Sequence, residues 1–224
     1  MRTRLVWSEL IMSKYDLVIF DVDGTLLDTT ESVVLSAKHA ITTKGYDMPS
    51  DSVLLKFIGP PLQVSFENLF GLKGEERDEA VAIFREFYAE NMLRAKPYDG
   101  MLGLCEYLRE KGVAMAIATY KREDYALKIL SHFGFADFTD NIHGAAVDNT
   151  LTKHDIIEKC IEESGVSDRS RIVMIGDTLH DANGAEQSGV DFIGVTYGFG
   201  FAEERPDNLK YADTAEAITD IIEG

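Results

Sequence analysis

The stretch that most constrains this chain is Leu17–Thr30, LVIFDVDGTLLDTT. Its four leading residues, Leu17, Val18, Ile19 and Phe20, have the length and the β-branched and aromatic character of a strand buried on both faces. Asp21 and Asp23 follow at once, then Gly24 and Thr25. An ionised carboxylate at the end of a buried strand is costly unless something compensates it. Two of them separated by one residue ask for a cation, a proton, or both. Gly24 would let the chain turn away and let a ligand approach the backbone. The run reads as a strand delivering acids to the carboxyl edge of a sheet, where open α/β folds place their sites. An ordinary Asx-rich turn is the alternative reading of the same residues.

Further along, the pattern recurs. Val113–Ala118 is a second apolar run, closed by Thr119, Tyr120 and Lys121. Arg171–Ile175 (RIVMI) is a third, followed by Gly176-Asp177-Thr178-Leu179-His180-Asp181. Asp191–Val195 makes a fourth strand, Ile142–Gly144 a short one, and Tyr211–Thr214 an edge strand and helix cap. Helical periodicity separates them, at Leu102–Lys111, Arg122–Phe133, Thr152–Ser164, Asp181–Ser188 and Ala215–Ile222. Strands alternating with helices predict an α/β, Rossmann-like parallel sheet with helices on both faces. From about Thr30 to Lys96 the pattern is helical only. Gly45 is placed as a C-cap, Ser50 as an N-cap, and Ile58-Gly59-Pro60-Pro61 as a break before Leu62–Phe70. Roughly 65 residues is far more than one strand-to-helix connection needs. The expected organisation is therefore a core of residues 1–29 and 97–224, with residues 30–96 inserted as an all-helical cap that moves over the site.

With 22 basic against 39 acidic residues among 224, the net charge is -17. That balance opposes nonspecific binding to nucleic acid or to an anionic membrane. An anionic substrate would need a local attractor, and a bound divalent cation would be one. No run approaches the ~20 apolar residues that span a bilayer, and the mean hydropathy is -0.10. Two cysteines, Cys105 and Cys160, lie in helical patterns and read as buried apolar side chains. MRTRLVWSELIM at the start is interrupted by Ser8 and Glu9 and is too short for an export signal core, so residues 1–12 are expected to be loosely ordered. Few cysteines and no export signal predict a cytoplasmic protein.

Three strands thus end in polar groups: Asp21 with Asp23, Thr119 with Lys121, and Asp177 with Asp181. If they run parallel, these ends converge on one crevice. Three carboxylates around a hard cation suit Mg²⁺. Asp177 and Asp181 also admit a plainer reading, as a helix cap and a solvated acid. Lys121 reads as an exposed charge more than as a ligand.

The motifs, in this order, resemble those of the haloacid dehalogenase-like hydrolases, most of which are phosphatases. DVDGTLLDT resembles the family's first motif, DxDGTxxD. Thr119 in AIATYK resembles the second, Lys153 in NTLTKHDII the third, and GDTLHD the fourth, GDxxxD. The resemblance implies that Asp21 is a nucleophile forming an aspartyl-phosphate and that Asp23 is the general acid and base. It implies that Thr119 and Lys153 bind the phosphoryl oxygens, with Gly24, Thr25 and Tyr120 as further substrate-binding positions. It implies a Mg²⁺ site at Asp21, Asp177, Asp181 and Asp23, the last through its backbone carbonyl. Members that cleave carbon–halogen bonds lack the second acid, so Asp23 favours phosphate chemistry.

KFIGPPLQVSF (Lys56–Phe66) resembles the cap segment of phosphoglycolate phosphatase-like members, while Thr119–Gly165 also resembles 5′-nucleotidase-like ones. A sugar phosphomutase is less favoured. No basic residue follows Gly59 closely, and Thr25 stands where mutases tend to have an apolar residue. A silent phospho-ligand-binding protein is the rival from another class. The expected partner is a small phosphorylated metabolite, bound by a monomer or homodimer.

Overall fold

The computed structural model describes residues 13–146, 151–201 and 205–224. The expectation for residues 1–12, and parts of the loops expected at Ala145–Leu151 and Gly198–Pro206, lie outside these. In chain order the elements are β1 (Leu17–Phe20), β2 (Leu27–Asp28), α1 (Thr30–Lys44), α2 (Asp51–Leu54), α3 (Leu62–Phe70), α4 (Gly74–Asn91) and β3 (Lys96–Pro97). Then follow α5 (Met101–Glu110), β4 (Ala114–Arg122), α6 (Glu123–Phe133), β5 (Ile142–Ala145) and α7 (Lys153–Ser164). The chain closes with β6 (Ile172–Gly176), α8 (Leu179–Ser188), β7 (Asp191–Val195), β8 (Lys210–Ala212) and α9 (Ala215–Glu223).

Six strands form one sheet in the order β5-β4-β1-β6-β7-β8, and every neighbouring pair is parallel. All four residues of β1 are buried, as its uninterrupted apolar run requires of a central strand covered on both faces. Alternate residues serve opposite layers. Val18 and Phe20 join Met115, Ile117, Val173 and Ile175 in a core completed by α5, α6 and α9. Leu17 and Ile19 join Ala116, Ala118, Ile172 and Met174 under α7 and α8. Phe20 stands opposite both Ile117 and Ile175, so the three strands that carry the polar termini end side by side.

Between β2 and β3 the chain is helical. The sequence reading missed one feature here. Lys96–Pro97 is not the end of a helical segment but a strand, paired antiparallel with Leu27–Asp28. The Tyr98 N–H donates to Leu26 O at 3.0 Å next to this ribbon. Two residues are too few to show a period of two, so the pattern could not be read in advance. The ribbon brings the exit and return of the inserted helices to one point. Inside the insertion, Phe57 meets Phe66 edge-on at 4.9 Å between centroids, and Phe84 stacks near Tyr88 at 5.8 Å. The aromatic row continues to Tyr125 on α6, 5.7 Å from Tyr88. His39 of α1 stacks on Phe87 of α4 at 4.3 Å, and α4 reaches α6 beside the sheet through Tyr88 and Tyr125.

Candidate active site

The Asp21 N–H donates to Ile175 O at 2.9 Å, so pairing with β6 persists up to the first acid. The chain then turns within Val22–Leu27, where the Gly24 N–H donates to Leu27 O at 2.9 Å. Gly24 has φ +82°, and a Cβ there would stand 2.2 Å from Asp177 Oδ2. Gly198 is as close, where a Cβ would lie 2.4 Å from both Asp177 Cβ and Gly24 O. Only backbone without a side chain fits at these two positions beside the carboxylate.

Lys153 opens α7. Thr152 caps the helix reciprocally with Asp155, the Thr152 N–H and hydroxyl donating to Asp155 Oδ2 at 2.8 and 2.6 Å. That box fixes the first turn and aims Lys153 inward, where its side chain is 4% exposed. The ammonium donates to Asp21 Oδ1 at 2.7 Å and to Ala118 O at 2.8 Å, and lies 2.7 Å from Asp181 Oδ1. Asp181 is a helix cap, as the plainer reading has it, but it is buried and not solvated. Its Oδ2 accepts the Thr178 N–H and hydroxyl at 3.1 and 2.7 Å, capping α8, while its Oδ1 faces Lys153.

Asp21, Asp177 and Asp181 each offer a carboxylate oxygen, all within 4.8 Å of one another. Asp177 Oδ2 accepts the Phe199 N–H at 2.7 Å, but its Oδ1 is buried with no hydrogen-bond partner among the described residues. Such a group is costly unless an ion or proton satisfies it. Burial first, then repulsion from Asp181 and Asp21, pushes Asp177 well above the ordinary carboxylate range. Burial likewise lifts Asp21 to about 7, against the opposing pull of Lys153. Burial would lower the Lys153 ammonium, but Asp181 and Asp21 outweigh it and raise it instead. Three carboxylates against one ammonium leave two negative charges when all are ionised, which a divalent cation would cancel. The all-oxygen donor set fits a hard cation.

The carboxylate of Asp23 is not part of this cluster. It faces Lys121, whose Nζ lies 2.9 Å from Asp23 Oδ1 and donates to the Tyr88 hydroxyl at 2.7 Å. Lys121 is therefore not an exposed charge. Its side chain is 6% exposed, because β4 runs on through Arg122 and α4 of the insertion covers it with Tyr88. Burial opposes its charge, but Asp23 and Tyr88 together raise its pKa.

Thr119 is buried beside the cluster, its hydroxyl accepting the Lys121 N–H at 3.1 Å. Tyr120 accepts the Lys153 N–H on its hydroxyl at 2.8 Å, which makes it a brace for Lys153 as well as a wall of the cleft. Thr25 is fully buried, and its carbonyl accepts the Tyr197 hydroxyl at 3.1 Å. A cavity opens from Asp23 and Lys121 toward the insertion, walled by Phe57, Phe84, Tyr88, Tyr120 and Tyr125. Gly59, Pro60 and Pro61 line it too. Arg85, also in its lining, was not singled out by the sequence, where it is one charge on an amphipathic helix.

The family model described as "Haloacid dehalogenase-like hydrolase" matches residues 18–195. A Pseudomonas aeruginosa protein named 5′-nucleotidase is 36% identical over 193 residues, covering 85% of this chain and 87% of its own length. A Mycobacterium tuberculosis protein named tyrosine-protein kinase PtkA is 35% identical over 84% of this chain and 64% of its own. A phosphoglycolate phosphatase of Agrobacterium fabrum is 30% identical over 82% and 81%. Among solved structures, "a predicted phosphatase from Clostridium acetobutylicum" superposes with a TM-score of 0.86 at 33% identity, covering 94% of this chain and 99% of that one.

Proposed function

The chain belongs to the haloacid dehalogenase-like hydrolase family and is a phosphatase within it, and on that premise we propose that it hydrolyses small phosphate monoesters with Mg²⁺ through an aspartyl-phosphate on Asp21. The observation that carries this reading is the position of Asp21, shared between the Lys153 ammonium and a carboxylate cluster with an unsatisfied buried oxygen. Asp21, Asp177 and Asp181 would hold the metal, together with the backbone carbonyl of Asp23. When bound, Mg²⁺ would supply the charge neutralisation that lets an anionic nucleophile meet an anionic phosphate.

The residues divide the remaining work. An Asp21 carboxylate oxygen attacks phosphorus, and the bond from phosphorus to the leaving oxygen breaks. Asp23 gives that oxygen its proton, then takes one from the water that hydrolyses the aspartyl-phosphate, releasing phosphate and restoring Asp21. Thr119 and Lys153 bind the transferring phosphoryl oxygens, Lys153 also reducing repulsion between Asp21 and the substrate. The residue 30–96 insertion acts as the cap, and the aromatic cavity between it and the sheet receives the rest of the ester. The phosphoglycolate phosphatase-like reading rests on the Agrobacterium relative. A 5′-nucleotidase-like reading has its own support, since aromatic walls suit a nucleobase.

The test is phosphate release from a panel of phosphoglycolate, nucleoside monophosphates and sugar phosphates, with Mg²⁺ and with chelator, for wild type and Asp21→Asn. Mg²⁺-dependent release that disappears in Asp21→Asn is the expected result. Wild-type turnover in the Asn variant would sink the mechanism.

A further inference from the structure

Eight arginines lie among the described residues, and six of them are matched to a carboxylate: Arg77 with Asp78, Arg94 with Glu31, Arg109 with Glu106, Arg122 with Asp124, Arg169 with Glu158 and Arg171 with Asp16. Arg205 is exposed and donates to Phe201 O at 2.8 Å. Arg85 alone has no ion pair and no side-chain hydrogen bond among the described residues. Its position makes this odd. It is half-buried on α4, in a chain with an excess of 17 negative charges. A guanidinium carries five N–H donors, and desolvating them without partners costs stability. Its surroundings make matters worse: burial first and then the positive charge of Arg122 lower the Arg85 pKa, outweighing Tyr125 and Asp124, which raise it. Asp124, the adjacent acid, is already engaged by Arg122 at 2.5 and 2.6 Å. The helix itself is held in place, since Arg85 O accepts the Tyr125 hydroxyl at 3.1 Å.

This unmatched cation lines the same cavity as Asp23 and Lys121. A molecule whose phosphate is at Asp21 and whose remainder fills that cavity would meet Arg85 in its lining. An anionic group there would satisfy the guanidinium with paired, charge-assisted hydrogen bonds, and would relieve its repulsion with Arg122. A neutral group would leave the cost in place. On the phosphatase reading above, we propose that Arg85 is a specificity-determining residue that binds a second anionic group of the substrate, so that preferred esters carry a carboxylate or a second phosphate beyond the scissile one. Selection of this kind comes from the contrast between a satisfied and an unsatisfied buried polar group.

The experiment uses matched pairs of esters on the full chain with Mg²⁺. Phosphoglycolate is set against ethyl phosphate, and propane-1,3-diol bisphosphate against 3-hydroxypropyl phosphate, for wild type, Arg85→Met and Arg85→Lys. Wild type should favour the anionic member of at least one pair, and the pair that shows it tells carboxylate from phosphate. In Arg85→Met that kcat/KM ratio should fall at least tenfold, mainly through KM, and Arg85→Lys should recover part of it. A ratio within twofold of wild type in Arg85→Met, or a wild type indifferent within both pairs, overturns the proposal. Should wild type release phosphate from none of the esters, the phosphatase reading is what has failed. The same preference is then read by calorimetric binding of the four esters to wild type and Arg85→Met, and an unchanged preference again overturns the role of Arg85.

Discussion

Lys153 and Asp21 meet in the interior at 2.7 Å, and the same ammonium lies 2.7 Å from Asp181. One cation thus divides itself between the proposed nucleophile and a proposed metal ligand. Replacing Lys153 with Met would strip the charge from a site that retains three carboxylates. Removing one partner of a buried ion pair typically costs about 3–5 kcal/mol, so the metal-free variant should unfold at markedly lower temperature than wild type. Loss of the phosphoryl contact should lower kcat by about 10²–10³-fold, the range for one preorganised electrostatic donor. Mg²⁺ should restore much of the stability and none of the turnover. Thermal unfolding and steady-state kinetics on one preparation separate the two effects.

Asp21 gives a pH dependence whose sign can be worked out. Burial first, then its carboxylate neighbours, lift its folded pKa from 3.8 to about 7, with Lys153 opposing. Between those values the folded state binds more protons than the unfolded one, so stability falls as pH rises. Asp177 is shifted in the same direction. Metal-free protein should therefore lose unfolding free energy between about pH 4 and pH 7 through Asp21, with Asp177 contributing in the same direction. Mg²⁺ binds the ionised forms, so its stabilising effect should grow over the same window. Chemical denaturation at pH 5 and pH 7.5, with chelator and with Mg²⁺, measures both slopes. A stabilisation by Mg²⁺ that is larger at pH 5 would contradict the assignment of these carboxylates to the metal.

Much of this was legible from the chain alone, because strand-end chemistry is local. Four apolar residues followed by Asp21 and Asp23, or RIVMI followed by Asp177 and Asp181, place acids at a sheet edge whatever the rest does. Their convergence then follows from parallel pairing. Lys121 was misread for the converse reason. Thr119, Tyr120 and Lys121 read as a strand giving way to solvent, and only Tyr88, arriving from α4, turns that end into interior. No local pattern announces a contact between residues 33 positions apart. Arg85 escaped notice in the same way, since its distinction is a missing partner, and partners are set by tertiary packing. The β2–β3 ribbon was too short to register as a pattern at all.

The glycines around Asp177 offer a test of fit. A Cβ at Gly24 would sit 2.2 Å from Asp177 Oδ2 and would also require an L-residue at φ +82°. Gly24→Ala must then displace the carboxylate or distort the turn. Overpacking of this kind commonly costs about 1–3 kcal/mol. Asp177 would be moved away from Asp21 and Asp181, so the Mg²⁺ concentration giving half-maximal activity should rise at least tenfold. Gly45→Ala is the control, because its φ of +72° carries similar backbone strain and nothing lies within 4 Å of the added carbon. That variant should lose stability while keeping its metal dependence. Equal metal dependence in both variants would show that Asp177 tolerates displacement.

Tyr88 and Lys121 tie α4 to Asp23, the proposed acid and base, which makes Tyr88→Phe informative. The phenol oxygen accepts from Lys121 at 2.7 Å, while the ring stacks near Phe84 and lies beneath the ammonium at 4.8 Å. Removing the hydroxyl alone keeps the aromatic packing and the cation–π contact, and takes away one hydrogen bond to a charged group. Bonds of that type are worth about 1.5–3 kcal/mol. Lys121 would remain paired with Asp23, so the chemistry should survive while the attachment of the proposed cap loosens. The expected result is a KM raised several-fold with kcat changed less, and a faster exchange of backbone amides in α4. Lys121→Met also leaves Asp23 without its partner, and should cost kcat as well as KM. If Tyr88→Phe instead reduced kcat as much as Lys121→Met does, the hydroxyl would be acting on the chemical step, and the cap contact would be more than a latch.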